Sequence, residues 1–416
     1  MTDLKLEPVK LKGSVTVPPS KSLAHRAIIC ASLAEGRSKI RNIQYSEDIL
    51  ATIAGMRAFG AVIQTEEDTV IIDGISDYSS GEGRTINCNE SGSTLRFLIP
   101  LATLFEGKTR FTGQGKLGTR PLDTYEEIFS KQGLHYRPSN TDELDLTVEG
   151  SLRPGIYDVR GDVSSQFITG LLFTLPLLEA ESEIRMTTPL ESEGYVDLTL
   201  SMLKTFGINI DFDKEKQVFR VEGNQVYRAQ NTTVEGDYSQ AAFFLSANAL
   251  DNSVEVNGMN PASLQGDREI IAILEQLNDG ASDERTIDGS QCPDIIPVAA
   301  LVAALSDGRT TFTNLERLRI KESDRLEAVQ KELARLGADI EIDGDALLIK
   351  GTAILKGNAT VWSHKDHRIA MMLAVASTVC EKPIIIRDTE CVAKSYPNFW
   401  DVFEQLGGKS SEWNLG

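Results

Sequence analysis

The segment Pro18-Pro-Ser-Lys-Ser-Leu-Ala-His-Arg26 begins a pattern that recurs six times along the chain and predicts its fold. Each copy starts with polar or charged residues, continues into a helix rich in Ala, Ser and Leu, and ends with a Gly-containing turn and a strand. The other starts are Glu90-Ser-Gly-Ser-Thr-Leu-Arg96, Asp162-Val-Ser-Ser-Gln-Phe167, Asp237-Tyr-Ser-Gln-Ala241, Cys292-Pro-Asp-Ile-Ile-Pro297 and Asp366-His-Arg-Ile-Ala370. Most of the starts are spaced by about 70 residues, which is too long for a solenoid repeat and fits a βαβαββ module.

In the fuller copies a second helix ends at Gly60, Gly133, Gly207 or Gly337, and a β-rich stretch follows. Glycine suits the position just after a helix, where the backbone often turns left-handed. Six modules of this size predict an α/β (α+β) chain of two similar domains with three modules each, which agrees with a length of 416 residues. The break between the third and fourth modules falls near residues 225–235.

Composition and charge exclude several classes of protein. The formal charge of −19 repels polyanions, which disfavours nucleic acid as a partner. No apolar run approaches the roughly 20 residues of a membrane-spanning helix, and the first residues have no leader pattern, so we expect a cytoplasmic protein. Five scattered cysteines and four histidines disfavour both a disulfide framework and a metal site.

The module starts are candidate anion sites because a helix N-terminus exposes unpaired N–H groups and the positive end of the helix dipole. The simpler interpretation of any single start is N-capping by Ser or Asp. Cations recur at several of these starts and in other polar segments of the chain, however, and this recurrence predicts a ligand with phosphate and carboxylate groups. These cations are Lys21, Arg26, Arg96, Arg120, Arg319, Lys321, Arg325, Arg368 and Lys394.

The segment Arg317-Leu-Arg-Ile-Lys-Glu-Ser-Asp-Arg325 is densely charged and precedes an amphipathic helical pattern. It is open to two interpretations: a solvated helix start whose charges pair with one another, or an anion site in which Glu322 moves a proton. Asp294 and Lys21 are the other candidates for proton transfer. The chain has no G-x-G-x-x-G, P-loop or nucleophile-elbow motif, which disfavours nucleotide-driven and serine-hydrolase chemistry.

Nine short motifs follow one another along the chain: Pro19-Ser-Lys-Ser-x-x-x-Arg26, Ser91-Gly-Ser-Thr-x-Arg96, Arg120-Pro121, Ser164-Ser-Gln-Phe167, Ser192-x-x-Tyr195, Asp294, Arg319-x-Lys-Glu-Ser-Asp-Arg325, Asp366-His-Arg368 and Ala393-Lys394. In this order they resemble the motifs of the 5-enolpyruvylshikimate-3-phosphate (EPSP) synthase family, along essentially the full chain. Each motif is weakly specific by itself, whereas all nine in the family's order are strongly specific.

The resemblance implies a fold and a domain organisation. The family has two similar domains of three βαβαββ units each, an inside-out α/β barrel arrangement with the active site in the interdomain cleft. Its N-terminal strand belongs with the C-terminal half. We therefore expect one domain of residues 1–16 plus 230–416 and an inserted domain of residues 17–229.

The resemblance also implies site residues. The residues expected to bind shikimate 3-phosphate are Lys21, Ser22, Arg26, Ser164, Ser165, Gln166, Ser192, Tyr195, Asp294 and Lys321. Those expected to bind phosphoenolpyruvate are Lys21, Gly92, Arg120, Gln166, Arg325, Arg368 and Lys394. The residues expected to act in catalysis are Lys21, Asp294 and Glu322.

The implied reaction is transfer of the enolpyruvyl group of phosphoenolpyruvate to the 5-hydroxyl of shikimate 3-phosphate, in the shikimate pathway of aromatic amino acid biosynthesis. It proceeds by addition and elimination through a tetrahedral intermediate. Glu322 would move the proton at the methylene carbon, and Asp294 with Lys21 would handle the hydroxyl proton. The family implies no metal or organic cofactor, small-molecule substrates only, a monomer, and inhibition by glyphosate.

Two positions depart from the common family pattern, and two alternatives remain. Glu90 and Arg317 stand where many members carry neutral residues. The closest alternative is UDP-N-acetylglucosamine enolpyruvyl transferase, which usually has a Cys where this chain has Gly115 and lacks the Ser-Ser-Gln and Lys-Glu-Ser-Asp-Arg motifs. The alternative from another class is a non-catalytic anion-binding relative, which the acidic charge and the set Lys21, Asp294 and Glu322 disfavour.

Overall fold

A computed structural model describes residues 2–79, 83–138, 143–279 and 283–413. Its helices within these ranges are α1 (Lys21–Leu33), α2 (Glu47–Ala58), α3 (Gly92–Ala102), α4 (Asp123–Gln132), α5 (Ser165–Thr174), α6 (Glu193–Thr205), α7 (Tyr238–Ala249), α8 (Ile270–Asn278), α9 (Ile296–Ala303), α10 (Arg325–Leu336), α11 (His367–Ser377) and α12 (Phe399–Gln405). Short 3₁₀ helices cover Gly115–Thr119, Leu175–Leu177, Gly266–Glu269, Glu316–Ile320 and Thr389–Lys394.

The strands in the same ranges are β1 (Leu4–Glu7), β2 (Lys12–Thr16), β3 (Arg37–Arg41), β4 (Val62–Thr65), β5 (Thr69–Asp73), β6 (Arg84–Asn87), β7 (Lys108–Gly113), β8 (His135–Pro138), β9 (Leu144–Glu149), β10 (Ile156–Val159), β11 (Ser182–Met186), β12 (Ile210–Asp213), β13 (Val218–Val221), β14 (Asn231–Thr233), β15 (Ser253–Asn257), β16 (Glu284–Asp288), β17 (Arg309–Thr313), β18 (Asp339–Asp343), β19 (Ala346–Lys350), β20 (Thr360–Trp362), β21 (Ile384–Arg387) and β22 (Lys409–Glu412). All six predicted module starts are followed by a helix: α1, α3, α5, α7, α9 and α11.

The chain divides into two compact units. One, here called the terminal unit, comprises Met1–Pro18 and Gly236–Gly416. The other, the inserted unit, is Pro19–Glu235. In the terminal unit β1 pairs antiparallel with β21 and β22, and β2 pairs parallel with β15, so the start of the chain is part of the sheets of its C-terminal half.

The boundary between the units is set by strand pairing. Strand β14 pairs parallel with β3, with Thr232 opposite Ile40, and therefore belongs to the inserted unit. The division falls after residues 18 and 235, whereas the family resemblance implied a division after residues 16 and 229. The second boundary moves because β14, which precedes the first helix of the terminal unit, forms its hydrogen bonds with β3 of the inserted unit.

Each full module has the same internal topology. In the second module, β6 leads through α3 to its parallel neighbour β7, and α4 then leads to the antiparallel strands β8 and β9. The third and fifth modules repeat this arrangement with sheets β10-β11-β13-β12 and β16-β17-β19-β18. In the fourth module the sheet is the pair β15-β2, and no hairpin follows α8 within the described residues.

The helices that start the modules form the cores of the two units. Every residue of α9 and of α11 is buried, which is typical of helices surrounded by protein on all sides. In the terminal unit α7, α9 and α11 contact one another, and in the inserted unit α3 packs on α5. Helices inside and sheets outside give each unit the arrangement expected for the fold.

Second helices end where the glycine pattern predicted. Gly60, Gly133, Gly207 and Gly337 have φ values of 105°, 72°, 86° and 103°, which side chains with a Cβ rarely adopt. They reverse the chain into the strand that follows, as the prediction required. No helix in the described parts of the chain is long and apolar enough to span a membrane.

Candidate active site

Five of the six helices that start modules are capped by a side chain. Ser20, Ser91 and Ser164 cap α1, α3 and α5, and Asp237 and Asp366 cap α7 and α11. The N-capping interpretation is therefore correct for these starts. A cap accepts from only one or two of the N–H groups in the first turn, so capping is compatible with anion binding at the same helix end.

Lys21 is the first residue of α1 and pairs with a carboxylate of the next helix. Its Nζ lies 2.8 Å from Oδ2 of Asp48, and the two side chains are 17% and 6% exposed. Asp48 lies in the first turn of α2, where the helix dipole also stabilises its negative charge. The ion pair fixes the ammonium group of Lys21 while leaving part of it open to a ligand.

Arg26 is a buried cation whose hydrogen-bond acceptors are neutral. Its Nε donates to Oγ1 of Thr199 at 2.8 Å, and its terminal nitrogens donate to the carbonyl oxygens of Ser22 and Tyr195 at 2.7 and 2.8 Å. Burial lowers the pKa of Arg26 to about 10, which still leaves it charged at neutral pH. A charge held without a carboxylate among its hydrogen-bond partners is suited to an external anion.

Four of the predicted positions in the inserted unit lie around the start of α3. A Cβ on Gly92 would lie 2.8 Å from Nη1 of Arg120, 3.5 Å from Nη1 of Arg96 and 3.6 Å from Oε1 of Gln166. Arg96 in turn donates to Oε1 of Gln166 at 2.8 Å and to the carbonyl of Pro121 at 3.0 Å. Two guanidinium groups and an amide therefore lie close to a backbone without a side chain, and their donors are suited to binding an anion.

We expect Gly92→Ala to lower kcat/KM for phosphoenolpyruvate by about 10- to 100-fold, because a displacement near 1 Å in a positioning group has effects of that size. The added methyl group would push Arg120 away, since 2.8 Å is far below van der Waals contact. Steady-state kinetics with each substrate varied checks this result. Gly83→Ala is the control, because among the described residues its Cβ would meet only the Lys108 carbonyl, at 3.8 Å. Equal kinetics for the two variants would contradict the prediction.

The remaining predicted residues of the inserted unit lie at two more helix starts. Ser164 caps α5 by accepting from the N–H of Gln166 at 3.3 Å, and Ser165 is the first residue of that helix. Ser192 precedes α6, is fully buried, and has a left-handed backbone with φ of 53°. A non-glycine residue held in this conformation is typical of sites that the surrounding structure constrains.

In the terminal unit Arg325 links three carboxylates. Its Nε and Nη1 donate to Asp366 and Asp294, both at 2.8 Å. Its Nη2 donates to Oε2 of Glu322 at 2.6 Å and to Oδ1 of Asp366 at 3.3 Å. Burial alone would lower the pKa of Arg325, but the three carboxylates outweigh it and hold the pKa well above its usual range.

Asp294 lies two residues before α9 and is surrounded by cations. Nζ of Lys321 lies 3.3 Å from its Oδ1, and Nη2 of Arg368 lies 3.5 Å from its Oδ2. Desolvation would raise the pKa of Asp294, but Lys321 and Arg325, together with Arg368, hold it well below the usual range. Asp294 is therefore ionised and weakly basic, which suits hydrogen-bond acceptance from a hydroxyl better than proton abstraction.

Lys321 is more easily deprotonated than an ordinary lysine. Burial lowers its pKa, and the neighbouring charges of Arg317 and Arg325 act in the same direction, against the opposing effect of Asp294. The residue follows the 3₁₀ helix that contains the buried side chain of Arg317. These contacts show that the segment from Arg317 to Arg325 is not a fully solvated helix start.

Asp324, the other acid of the segment from Arg317 to Arg325, is an N-cap residue. Asp324 caps α10 by accepting from the N–H of Glu327 at 3.0 Å, and it pairs with the exposed Arg319 at 3.4 Å. The predicted amphipathic pattern that follows is confirmed: Leu326, Val329, Leu333 and Leu336 are all buried. Both interpretations of the segment thus apply, each to different residues.

One acid near the site was not found from the sequence. Asp267 is 2% exposed and accepts a short hydrogen bond from the Ser239 hydroxyl, while the Ser239 carbonyl accepts from Nη1 of Arg368 at 3.0 Å. Burial and then the charge of Asp294 raise the pKa of Asp267 to about 6. The available sequence signal was a Gln-Gly-Asp triplet before an apolar helix, which by itself indicates only a helix start.

We expect Asp267→Asn to remove a pH-dependent part of the free energy of unfolding. Because the folded pKa is raised, the native protein holds a proton that the unfolded chain loses, so this part of the stability falls as pH rises from about 4 to 6. The free energy of unfolding of the variant minus that of wild type should therefore be about 2 kcal/mol larger at pH 7.5 than at pH 4.5. Urea denaturation of both proteins at both pH values measures these free energies. A difference between variant and wild type that is the same at both pH values would contradict the raised pKa of Asp267.

Two further predicted residues of the terminal unit, Arg368 and Lys394, are buried cations. Arg368 follows the first residue of α11 and is 3% exposed, and its guanidinium contacts Asp294 and the start of α7. Lys394 ends the last 3₁₀ helix and is 4% exposed. The structure therefore forms two groups of predicted residues, one in each unit, and both consist mainly of buried charged or polar side chains.

The fold places the chain in a class of solved proteins. An EPSP synthase from Acinetobacter baumannii superposes with a TM-score of 0.79 at 25% identity, covering 99% of this chain and 100% of that one. The enolpyruvyl transferase NikO from Streptomyces tendae superposes with a TM-score of 0.78 at 15% identity, covering 100% and 99%. The fold is thus that of the enolpyruvyl transferases.

The sequence comparisons narrow this class. The family model described as EPSP synthase (3-phosphoshikimate 1-carboxyvinyltransferase) matches residues 6–403, and the chain belongs to this family. Among its relatives, the 3-phosphoshikimate 1-carboxyvinyltransferases of one Clostridium botulinum strain and of Clostridioides difficile are 55% and 51% identical, over 100% of both chains in each pair. The chain is accordingly an enzyme, a carboxyvinyltransferase.

Proposed function

We propose that this enzyme transfers the enolpyruvyl group of phosphoenolpyruvate to the 5-hydroxyl of shikimate 3-phosphate, releasing phosphate, in the shikimate pathway. Membership of the EPSP synthase family and full-length relatives near 50% identity support the reaction. The geometric observation that carries the proposal is Arg26, a buried cation with only neutral hydrogen-bond acceptors, in a unit whose helix starts carry further cations. Such a charge needs an anionic ligand.

In the proposed assignment the inserted unit binds most of shikimate 3-phosphate. Arg26 and Ser22 lie in α1 and Tyr195 lies in α6. The guanidinium of Arg26 donates to the carbonyls of Ser22 and Tyr195 and so connects the two helices. Ser164, Ser165 and Gln166 supply hydroxyl, amide and backbone donors at the start of α5. Arg120 and Gln166, facing Gly92, would hold the phosphate of phosphoenolpyruvate, and Lys21 would contact both substrates.

The terminal unit would supply the groups that act on the reacting atoms. Arg325, Arg368 and Lys394 would bind the anionic groups of phosphoenolpyruvate. The carboxyl group of Glu322, held 2.6 Å from Arg325, would deliver a proton to the methylene carbon in its acid form, and the resulting carboxylate would later remove one from the methyl group. Asp294 would accept a hydrogen bond from the 5-hydroxyl, and Lys321 would bind shikimate 3-phosphate beside it.

The reaction is balanced without an added reagent. The 5-hydroxyl loses its proton, which Lys21 with Asp294 would handle, and its oxygen forms a bond to C2 of phosphoenolpyruvate. The methylene carbon gains a proton from Glu322, which gives a tetrahedral intermediate, and the hydroxyl proton leaves with the phosphate in the second step. The bond from C2 to the phosphate oxygen then breaks and the methyl group loses a proton, restoring the double bond. Cations aimed at the carboxylate and phosphate stabilise the charge that develops in both steps.

A phosphate-release assay with two acceptors tests the proposal. We expect turnover with phosphoenolpyruvate and shikimate 3-phosphate, and none with UDP-N-acetylglucosamine. The fold is shared by enolpyruvyl transferases with other acceptors, so the acceptor is the informative variable. Release only with UDP-N-acetylglucosamine would overturn the assignment in favour of the alternative, and release with neither acceptor would overturn the enzymatic role in this pathway.

We also predict that glyphosate inhibits the enzyme in competition with phosphoenolpyruvate, because Gly92 has no side chain that would displace Arg120 from its position beside Gln166. Initial rates at several phosphoenolpyruvate concentrations measure the effect, and Gly92→Ala should weaken the inhibition. Rates that do not change at high inhibitor concentration would contradict the prediction. A monomeric state and a cytoplasmic location remain predictions of the sequence.

A further inference from the structure

We infer that Thr199 is a positioning residue for shikimate 3-phosphate, acting through Arg26. The inference rests on the proposed function, which assigns Arg26 to that substrate. It concerns a buried hydroxyl that lies outside all of the sequence motifs, and it follows from hydrogen bonds within the inserted unit.

The Thr199 hydroxyl joins three helices. It lies in α6, fully buried, and donates to the carbonyl of Tyr195 one turn earlier at 2.9 Å. It accepts from Nε of Arg26 in α1 at 2.8 Å. Its third contact is the hydroxyl of Thr169 in α5, at 2.9 Å. The same three helices begin at the residues proposed to bind shikimate 3-phosphate.

The directions of these hydrogen bonds follow from the capacity of a hydroxyl group. A threonine hydroxyl has one hydrogen to donate and two lone pairs that accept. Because Thr199 donates to Tyr195, the Thr169 hydroxyl has to donate to Thr199, and the second lone pair receives Nε of Arg26. The hydroxyl is thus fully used, and no other orientation satisfies all of its partners.

This arrangement fixes the direction of the Arg26 guanidinium. Nε and one N–H on each terminal nitrogen have protein acceptors, and the ring of Phe97 lies 5.4 Å from the guanidinium carbon. One N–H on each terminal nitrogen has no acceptor among the residues that the structure describes. Thr199, together with the carbonyl groups of Ser22 and Tyr195, therefore fixes where the remaining N–H groups point, and so where a substrate oxyanion is held.

Thr199→Val tests the inference because it keeps the shape of the side chain and removes the acceptor. We expect KM for shikimate 3-phosphate to rise by about 10-fold or more, the usual effect of a lost hydrogen bond to a charged group. KM for phosphoenolpyruvate and kcat should change less than about threefold, since Arg26 contacts neither reacting atom in the proposal. Thr199→Ser should restore most of the affinity.

Thr174→Val is the matched control. Thr174 is equally buried in α5, and its hydroxyl donates to the Gly170 carbonyl without contacting Arg26. Its substitution should leave both KM values unchanged. If Thr199→Val does not fold, Thr199→Ala is measured instead, with direct calorimetric titration of shikimate 3-phosphate.

The outcomes separate this inference from the proposed function. If the wild-type enzyme turns over shikimate 3-phosphate and Thr199→Val has the same KM for it, the inference is overturned and the proposed function stands. An equal rise in both KM values, or a serine variant as weak as the valine one, also overturns it, because the role is then structural. Wild-type enzyme without activity on shikimate 3-phosphate overturns the proposed function itself.

Discussion

Replacing Glu322 by glutamine is expected to lower kcat by about 10²- to 10⁴-fold, the usual contribution of a general acid or base. Glutamine has nearly the same shape, and its carbonyl oxygen can still accept from Nη2 of Arg325, which lies 2.6 Å from Oε2 of Glu322. Binding of both substrates should therefore change little. Steady-state rates together with calorimetric binding of shikimate 3-phosphate separate the loss of catalysis from a loss of binding.

Glu327→Gln is the control for this substitution. Glu327 lies in the first turn of α10, five residues after Glu322, and its side chain is exposed. The Glu327→Gln substitution should leave kcat unchanged. That result would show that the loss of one negative charge near the start of α10 does not by itself lower kcat. A Glu322→Gln variant with kcat within a factor of about three of wild type would show that another group moves the proton.

Replacing Arg325 by leucine is expected to lower the free energy of unfolding by about 3–5 kcal/mol, because it leaves buried carboxylates without their cation. Arg325 is 1% exposed and Asp366 is fully buried, so water cannot replace the lost hydrogen bonds. The variant should also have no measurable transfer activity, since the proposal assigns this guanidinium to phosphoenolpyruvate. Urea denaturation at pH 7.5 gives the first quantity.

The control for this prediction is a surface arginine of the same segment. Arg319 pairs with Asp324 and Asp345, and its side chain is 37% exposed. Exposed pairs contribute roughly 0–1 kcal/mol, so Arg319→Leu should have an effect in that range. Equal destabilisation by the two substitutions would mean that the buried network is not what stabilises this part of the terminal unit.

Periodicity was sufficient to predict the modules. The small and apolar residues of α9 and α11 recur without a polar face, and this pattern indicates a buried helix wherever the chain places it. The glycines after the second helices were also predictable, because a left-handed backbone at a helix end has few other solutions. These features are local, so a single sequence contains the information that they need.

The pairing of strands that are far apart in the chain was not predictable from the residues in the same way. β14 is three residues long, and its partner β3 lies about 190 residues earlier in the chain. Nothing in Asn231–Thr233 specifies that partner, and the boundary of the units depended on it. The family resemblance indicated that the N-terminal strand joins the C-terminal half, which is a property of the fold and not of any local pattern.

The site was predictable as a set of charged residues but not as a network. The sequence indicated that Arg325 and Glu322 act near each other, three positions apart on one helix start. It did not indicate that Asp366, 41 positions later, accepts from the same guanidinium. Asp48, Asp267 and Thr199 were missed for the same reason, since single polar residues in or before helices resemble ordinary caps and surface positions.

The buried charges give the two groups their chemical character. In a medium of low polarity, an ion pair or a charge-assisted hydrogen bond is stronger than in water, and an unpaired charge is costly. Arg325 is therefore stable because its carboxylates surround it, whereas Arg26 has only neutral oxygens. On this basis the inserted unit needs an anion more than the terminal unit does, which agrees with its proposed role in binding shikimate 3-phosphate.

The most direct test of the central claim is turnover in deuterated water, because addition and elimination exchange hydrogen at the methylene carbon of phosphoenolpyruvate. We expect 5-enolpyruvylshikimate 3-phosphate formed by the wild-type enzyme to carry deuterium at its vinyl carbon, seen by nuclear magnetic resonance and mass spectrometry. Product formed from shikimate 3-phosphate without deuterium would contradict addition and elimination. Absence of this product under any condition would contradict the assigned reaction.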